Sequence, residues 1–137
     1  MRPRALVVLL ALGVLVALVA GAATFADSPG GRQAFALVVP NNGTPRLVSA
    51  HTSGFVDVSV GPFGPGDYCL TPAPGVDVVD TAAVAAQEAF YSNVFGRAMV
   101  RYPTAGPRCD ANQLEVKTWP DNSPTLTDQI AFTVIVP

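Results

Sequence analysis

Glycine and proline interrupt this chain so often that the segments between them are of strand length. The sequence holds 12 glycines and 13 prolines in 137 residues. A proline inside a helix or a central strand removes a backbone donor, so each one ends or edges an element. Between these breaks the residues read in steps of two. Ala34 to Val39 is an apolar run with Phe35, Leu37 and Val39 on one face. Asn41-Asn42-Gly43-Thr44 follows, and Asn-Gly accepts the positive φ of a tight hairpin, with Leu47 to Ala50 returning. Phe55 to Val60 alternates, placing Val56, Val58 and Val60 opposite Asp57 and Ser59. Gly61 to Gly66 is a loop, because two glycine-spaced triplets cannot hold a triple helix. Tyr68 to Thr71 is a short strand carrying Cys69, and Val76 to Val79 is short and apolar.

Further on, Ala98 to Tyr102 alternates with arginines. Gln113 to Trp119 places Leu114, Val116 and Thr118 inward and Glu115 and Lys117 outward, where they can pair with a neighbouring strand. Asp121 to Pro124 is a turn, and Ile130 to Val136 aligns Ile130, Phe132, Val134 and Val136 on one face. Thr81 to Tyr91 is the ambiguous segment. Its alanines, Gln87 and Glu88 favour a helix that Asp80 would cap. Seven to nine short strands in about 110 residues predict an all-β fold: a single antiparallel sandwich or a barrel-like domain.

The first residues predict the compartment. Arg2 and Arg4 precede a run of Ala, Leu and Val from Ala5 to Ala20, and no charge returns before Asp27. A globular helix needs a polar face, which this run lacks. Ala20-Gly21-Ala22 has the small-x-small form that signal peptidase accepts, and Thr24-Phe25-Ala26 is a second such place. Residues 1–26 therefore read as a signal peptide, or as a signal-anchor if kept, since the run approaches the roughly 18–20 residues that span a bilayer. Either outcome puts residues 27–137, one domain, in a secreted or cell-surface position. The partner expected there is extracellular or on the cell surface, and the membrane is touched only through an uncleaved leader.

Cys69 and Cys109 fall in that exported part, so a disulfide is the expected pairing. Metal binding would need further ligands, and His51 is the only histidine. Removing Arg2 and Arg4 leaves six basic residues against ten acids, a net charge of −4. That sign argues against nucleic acid, which attracts a clustered basic face. Arg97, Arg101 and Arg108 are the nearest approach to one.

Several of these stretches resemble a group of small secreted β-domain proteins of actinobacteria. The similarity lies in Asn42-Gly43-Thr44, Gly66 to Leu70, Cys109 with Leu114 to Thr118, and Asp128 to Pro137. It extends distantly to β-rich repeats of phage tail fibres and adhesins. The resemblance implies an all-β fold and turns the expectation for Thr81 to Tyr91 from helix to strand. It implies no catalytic residues and no cofactor.

No catalytic pattern emerges from the residues themselves. His51, Ser53 and Asp57 are near one another in sequence, but adjacency along a strand does not assemble a triad, and no Gly-x-Ser-x-Gly elbow is present. Asp77, Asp80, Glu88, Asp110 and Glu115 are available for paired-carboxylate chemistry, yet such acids are ordinary on β loops. Asp110 to Asn112 and Asp121 to Asp128 offer oxygen ligands for weak calcium without matching an EF-hand loop. Trp119, beside Pro120, is the candidate ligand-binding residue, on the same face as Glu115 and Lys117. The expectation is a non-enzymatic structural or interaction domain. A carbohydrate- or calcium-dependent binding module is the alternative, and a small hydrolase is the third.

Overall fold

The computed structural model describes residues 33–41, 43–101 and 109–137. The expected leader over residues 1–26 lies outside them, as do Asn42, Tyr102 and Arg108. Eight strands form among the described residues: β1 (Ala34–Asn41), β2 (Thr44–Ser53), β3 (Phe55–Val60), β4 (Asp67–Pro72), β5 (Val84–Gln87), β6 (Gly96–Arg101), β7 (Leu114–Pro120) and β8 (Phe132–Val136). The first sheet has the order β2-β1-β8-β5 and the second β3-β4-β7-β6. Every pairing is antiparallel, and no helix occurs among the described residues. The expected all-β sandwich is the fold.

Alternation fills the space between the sheets. Ala34, Ala36 and Val38 of β1 and Phe132, Val134 and Val136 of β8 meet Phe55, Val58, Tyr68, Leu70, Leu114 and Val116 of the second sheet. The rings of Tyr68 and Phe132 lie 5.3 Å apart between centroids, tilted by 43°. Each of these large side chains contributes roughly 1.5–3 kcal/mol by leaving water. The closing strand behaves as its period requires, since Ile130, Phe132, Val134 and Val136 are all fully buried. The β1–β2 hairpin closes with Asn41 pairing with Thr44, and Gly43 takes a φ of 82° that a side chain would resist.

In three elements the structure adds to or departs from the sequence reading, each for a local reason. Phe35, Leu37 and Val39 do share a face, but it is the outer one, and the small residues of β1 face the interior. Leu37 and Val39 are covered instead by a satellite cluster with Ala131 and Val48. That cover exists because β2 bulges: its register jumps from Thr52 opposite Ala36 to Leu47 opposite Val38. In β3 the register also shifts, Phe55 pairing with Pro72 and Asp57 with Thr71. The extra residue, Val56, is turned to solvent with Val60, and Phe55 and Val58 go inward. A single inserted residue reverses the facing of everything before it.

The third is β5. Helix propensity there yields to pairing with β8, where Val84, Ala85, Ala86 and Gln87 face Ile135, Val134, Thr133 and Phe132. The Gln87 amide then joins this edge to β6: Nε2 donates to the Val94 carbonyl at 2.8 Å, and Oε1 accepts the Gly96 N–H at 2.9 Å.

Candidate functional site

The outer face of the first sheet carries a row of exposed apolar side chains. Phe35 pairs with Ile135, and Ile135 with Val84, on three adjacent strands. They are 42%, 46% and 64% exposed. The turn after β5 adds Phe90 and Tyr91, whose rings stand edge to face at 5.0 Å. That turn is pinned to the sheet. The Glu88 N–H donates to the Ala131 carbonyl at 2.8 Å, and the Ser92 hydroxyl donates to the Glu88 carbonyl at 2.7 Å. The Ala131 N–H donates in turn to the Ser92 oxygen at 2.9 Å. Phe90, 84% exposed, is thus held out on a braced backbone rather than swung freely.

Between this turn and the sheet runs a groove of about 420 Å³, lined by Phe35, Leu37 and Thr133 of the sheet, by His51, and by Glu88, Phe90 and Tyr91. It presents aromatic rings together with an imidazole, a carboxylate and a hydroxyl. Such a lining suits a ligand with both apolar faces and hydrogen-bonding groups. His51 lies on this groove and is exposed. No hydrogen bond joins it to Ser53 or Asp57 among the described residues.

The outer face of the second sheet is of opposite character. Asp67 of β4 stands directly opposite Lys117 of β7, and Cys69 opposite Glu115. Alternation turns these side chains outward, as expected for Glu115 and Lys117. Yet all are buried: Asp67 is 0%, Glu115 3% and Lys117 5% exposed. The loop from Gly61 to Gly66 folds over them. Its Phe63 N–H donates to Asp67 Oδ2 at 3.0 Å, and the Phe63 ring centroid lies 3.5 Å from Lys117 Nζ. Gly61 packs so tightly on the Asp67 carboxyl that a Cβ there would overlap it.

Lys117 Nζ stands 3.1 Å from Glu115 Oε1 and 3.9 Å from Asp67 Oδ1. Arg101, on the neighbouring β6, approaches Glu115 at 4.0 Å from the solvent side. Burial pushes the Asp67 carboxyl above its ordinary value, and nearby Glu115 adds to the rise, against the Phe63 N–H and Lys117, which lower it. In the core, burial likewise pushes the Tyr68 phenol up to about 12.

The disulfide between Cys69 and Cys109 is present, with Cα atoms 5.4 Å apart, beside this charged cluster. Trp119 lies half-buried on the same outer face, opposite Arg97, whose guanidinium stands 5.7 Å from the ring centroid. Among the described residues no three His, Cys, Asp or Glu side chains converge as metal ligands do. The acidic loops serve their own turns: the Asp77 carboxylate accepts the N–H groups of Val79 and Asp80. No helix among the described residues is long and apolar enough to cross a membrane.

Sequence reasoning did not find the groove or the buried triad. The groove unites β1, β2, β8 and the turn after β5, which no spacing in the chain reveals. The triad had one available sign. Lys117 is the sole lysine of the chain, and one lysine two residues from a glutamate on a strand marks a pair on one face. No family model matches this chain, and neither a curated protein nor a solved structure matches it.

Proposed function

We propose that this chain is an exported, non-enzymatic interaction module, and that the aromatic outer face of its first sheet is the surface that meets a partner outside the cytoplasm. The observation that carries the reading is the braced exposure of Phe90 and Tyr91 beside Phe35. Contiguous exposed apolar surface of this kind tends to mark a contact site. The disulfide supports an oxidising compartment, as the basic and apolar leader does.

The test uses secreted chain and the triple variant Phe35→Ser, Phe90→Ser and Tyr91→Ser. Both are sedimented with the envelope fraction of the producing cells. Wild-type chain is expected to co-sediment, and the variant, with an unchanged melting curve, to stay in solution. Equal sedimentation of the two, or none of the wild type, would count against this surface.

A second reading makes the occupant a carbohydrate. It rests on Glu88, His51 and Thr133 sharing the groove with the rings, because sugars present apolar C–H faces and hydroxyls together. A glycan array read with the same pair of proteins separates a sugar from a protein or lipid partner.

A further inference from the structure

The only lysine of this chain is buried between two carboxyl groups under an aromatic ring. A lone charged pair on an outer sheet face gains little from such burial, because desolvation offsets the attraction. Two acids and one amine packed out of water are, however, the parts needed to make an amide. We propose that Lys117 and Asp67 form an intramolecular isopeptide bond, with Glu115 as the proton carrier, tying β4 covalently to β7.

The geometry assigns each atom a role. Asp67 Oδ2 accepts the Phe63 N–H at 3.0 Å, which marks it as the carbonyl oxygen and provides a donor for the negative charge that develops there. Oδ1 is the oxygen that faces Lys117, 3.9 Å from Nζ, so it is the hydroxyl that leaves. Burial favours the neutral acid, the form an amine can attack. Glu115 Oε1, 3.1 Å from Nζ, takes a proton from the ammonium. The freed amine lies 3.9 Å from Oδ1. Rotation about the lysine stem brings it onto Asp67 Cγ at the roughly 3–3.5 Å from which such additions start.

The balance closes without any co-reactant. Lys117 begins as an ammonium, Glu115 as a carboxylate and Asp67 as a neutral acid. Nζ adds to Cγ; the Cγ–Oδ1 bond breaks. The departing hydroxyl takes a proton and leaves as water, and the amide nitrogen keeps one hydrogen. Glu115 ends protonated, so the net charge is zero before and after. Nothing is oxidised or reduced. The Phe63 ring and the folded loop keep bulk water from the three groups, which favours loss of water over the reverse hydrolysis. The product sits one residue pair from the Cys69–Cys109 bridge, so two covalent ties would brace the same central strands.

The experiment is a mass measurement on the full folded, secreted chain after reduction and unfolding. The expected mass is lower than that of the open chain by one water. Trypsin should then fail to cut after Lys117 and should yield residues 47–97 joined to residues 109–137. Lys117→Arg, Glu115→Gln and Asp67→Ala are each expected to restore the full mass. A wild-type digest containing a free peptide 109–117, cut at Lys117, would overturn the proposal whether or not the variants fold. So would a water loss confined to residues 109–137, which would place the bond between Lys117 and Glu115 instead. This result is independent of what the groove on the first sheet binds.

Discussion

The two outer faces of the sandwich obey the same alternation and end in opposite environments. On the first sheet the outward positions are Phe35, Ile135 and Val84, apolar and open to solvent. On the second they are Asp67, Glu115 and Lys117, charged and shut away from it. The usual rule is inverted on both faces. The difference teaches that alternation decides only which side of a sheet a residue occupies. What covers that side is decided by loops: the Gly61–Gly66 loop lies down on the second sheet, and the turn bearing Phe90 stands beside the first. Exposed apolar surface is available for a partner, and enclosed ionisable groups are available for chemistry among themselves.

The asymmetry can be broken most forcefully at the covalent link on the charged side. Reducing Cys69–Cys109, which closes a separation of 40 residues, is expected to cost about 4 kcal/mol in the chain-entropy model for a chain without a second tie between these strands, and less where Lys117 is joined to Asp67. Denaturant melts with and without reductant read that loss. Replacing Lys117 with Met removes the amine that holds Asp67 and Glu115, as cation or as amide, and leaves two buried carboxyl groups without it, at an expected cost of at least about 3 kcal/mol. If the same melts show Lys117→Met as stable as wild type, the charged face is not sealed as described. The smallest effect belongs to the apolar face. Val84→Thr, Ile135→Thr and Phe90→Ser should each shift stability by no more than about 0.5 kcal/mol, since these side chains are already in water. A loss of several kcal/mol at any of them would mean that this face is part of the core and not a free surface.

Much of the fold was legible in the residues. The Asn-Gly hairpin, the Tyr68 to Thr71 strand, the inward set Leu114, Val116 and Thr118, and the closing strand all follow from period and turn chemistry, and they appear where those predict. The bulges in β2 and β3 were not legible, because nothing in Leu47 to Ser53 or Phe55 to Val60 signals an extra residue; the partner strand sets the register. Val56 illustrates the consequence, since a clean apolar alternation left it in solvent. The alanine-rich segment around β5 carried a local preference for helix that cross-strand pairing with β8 overrode. The candidate groove was hidden for a related reason. Phe35 and Tyr91 are far apart in the chain, and only the β1-β8-β5 order brings their elements together.

By itself, the sequence determined that the chain beyond its apolar N-terminal stretch would be all-β, that its two cysteines would pair, and which residues alternate with which. These are local or pairwise matters, governed by backbone stereochemistry, the two-residue period and the supply of thiols. The tertiary structure alone decided that Lys117 would meet Asp67 under Phe63, and that Phe90 would stand open beside Phe35. Those outcomes depend on strand register and on where the loops come to rest, and both are set by packing between residues distant along the chain.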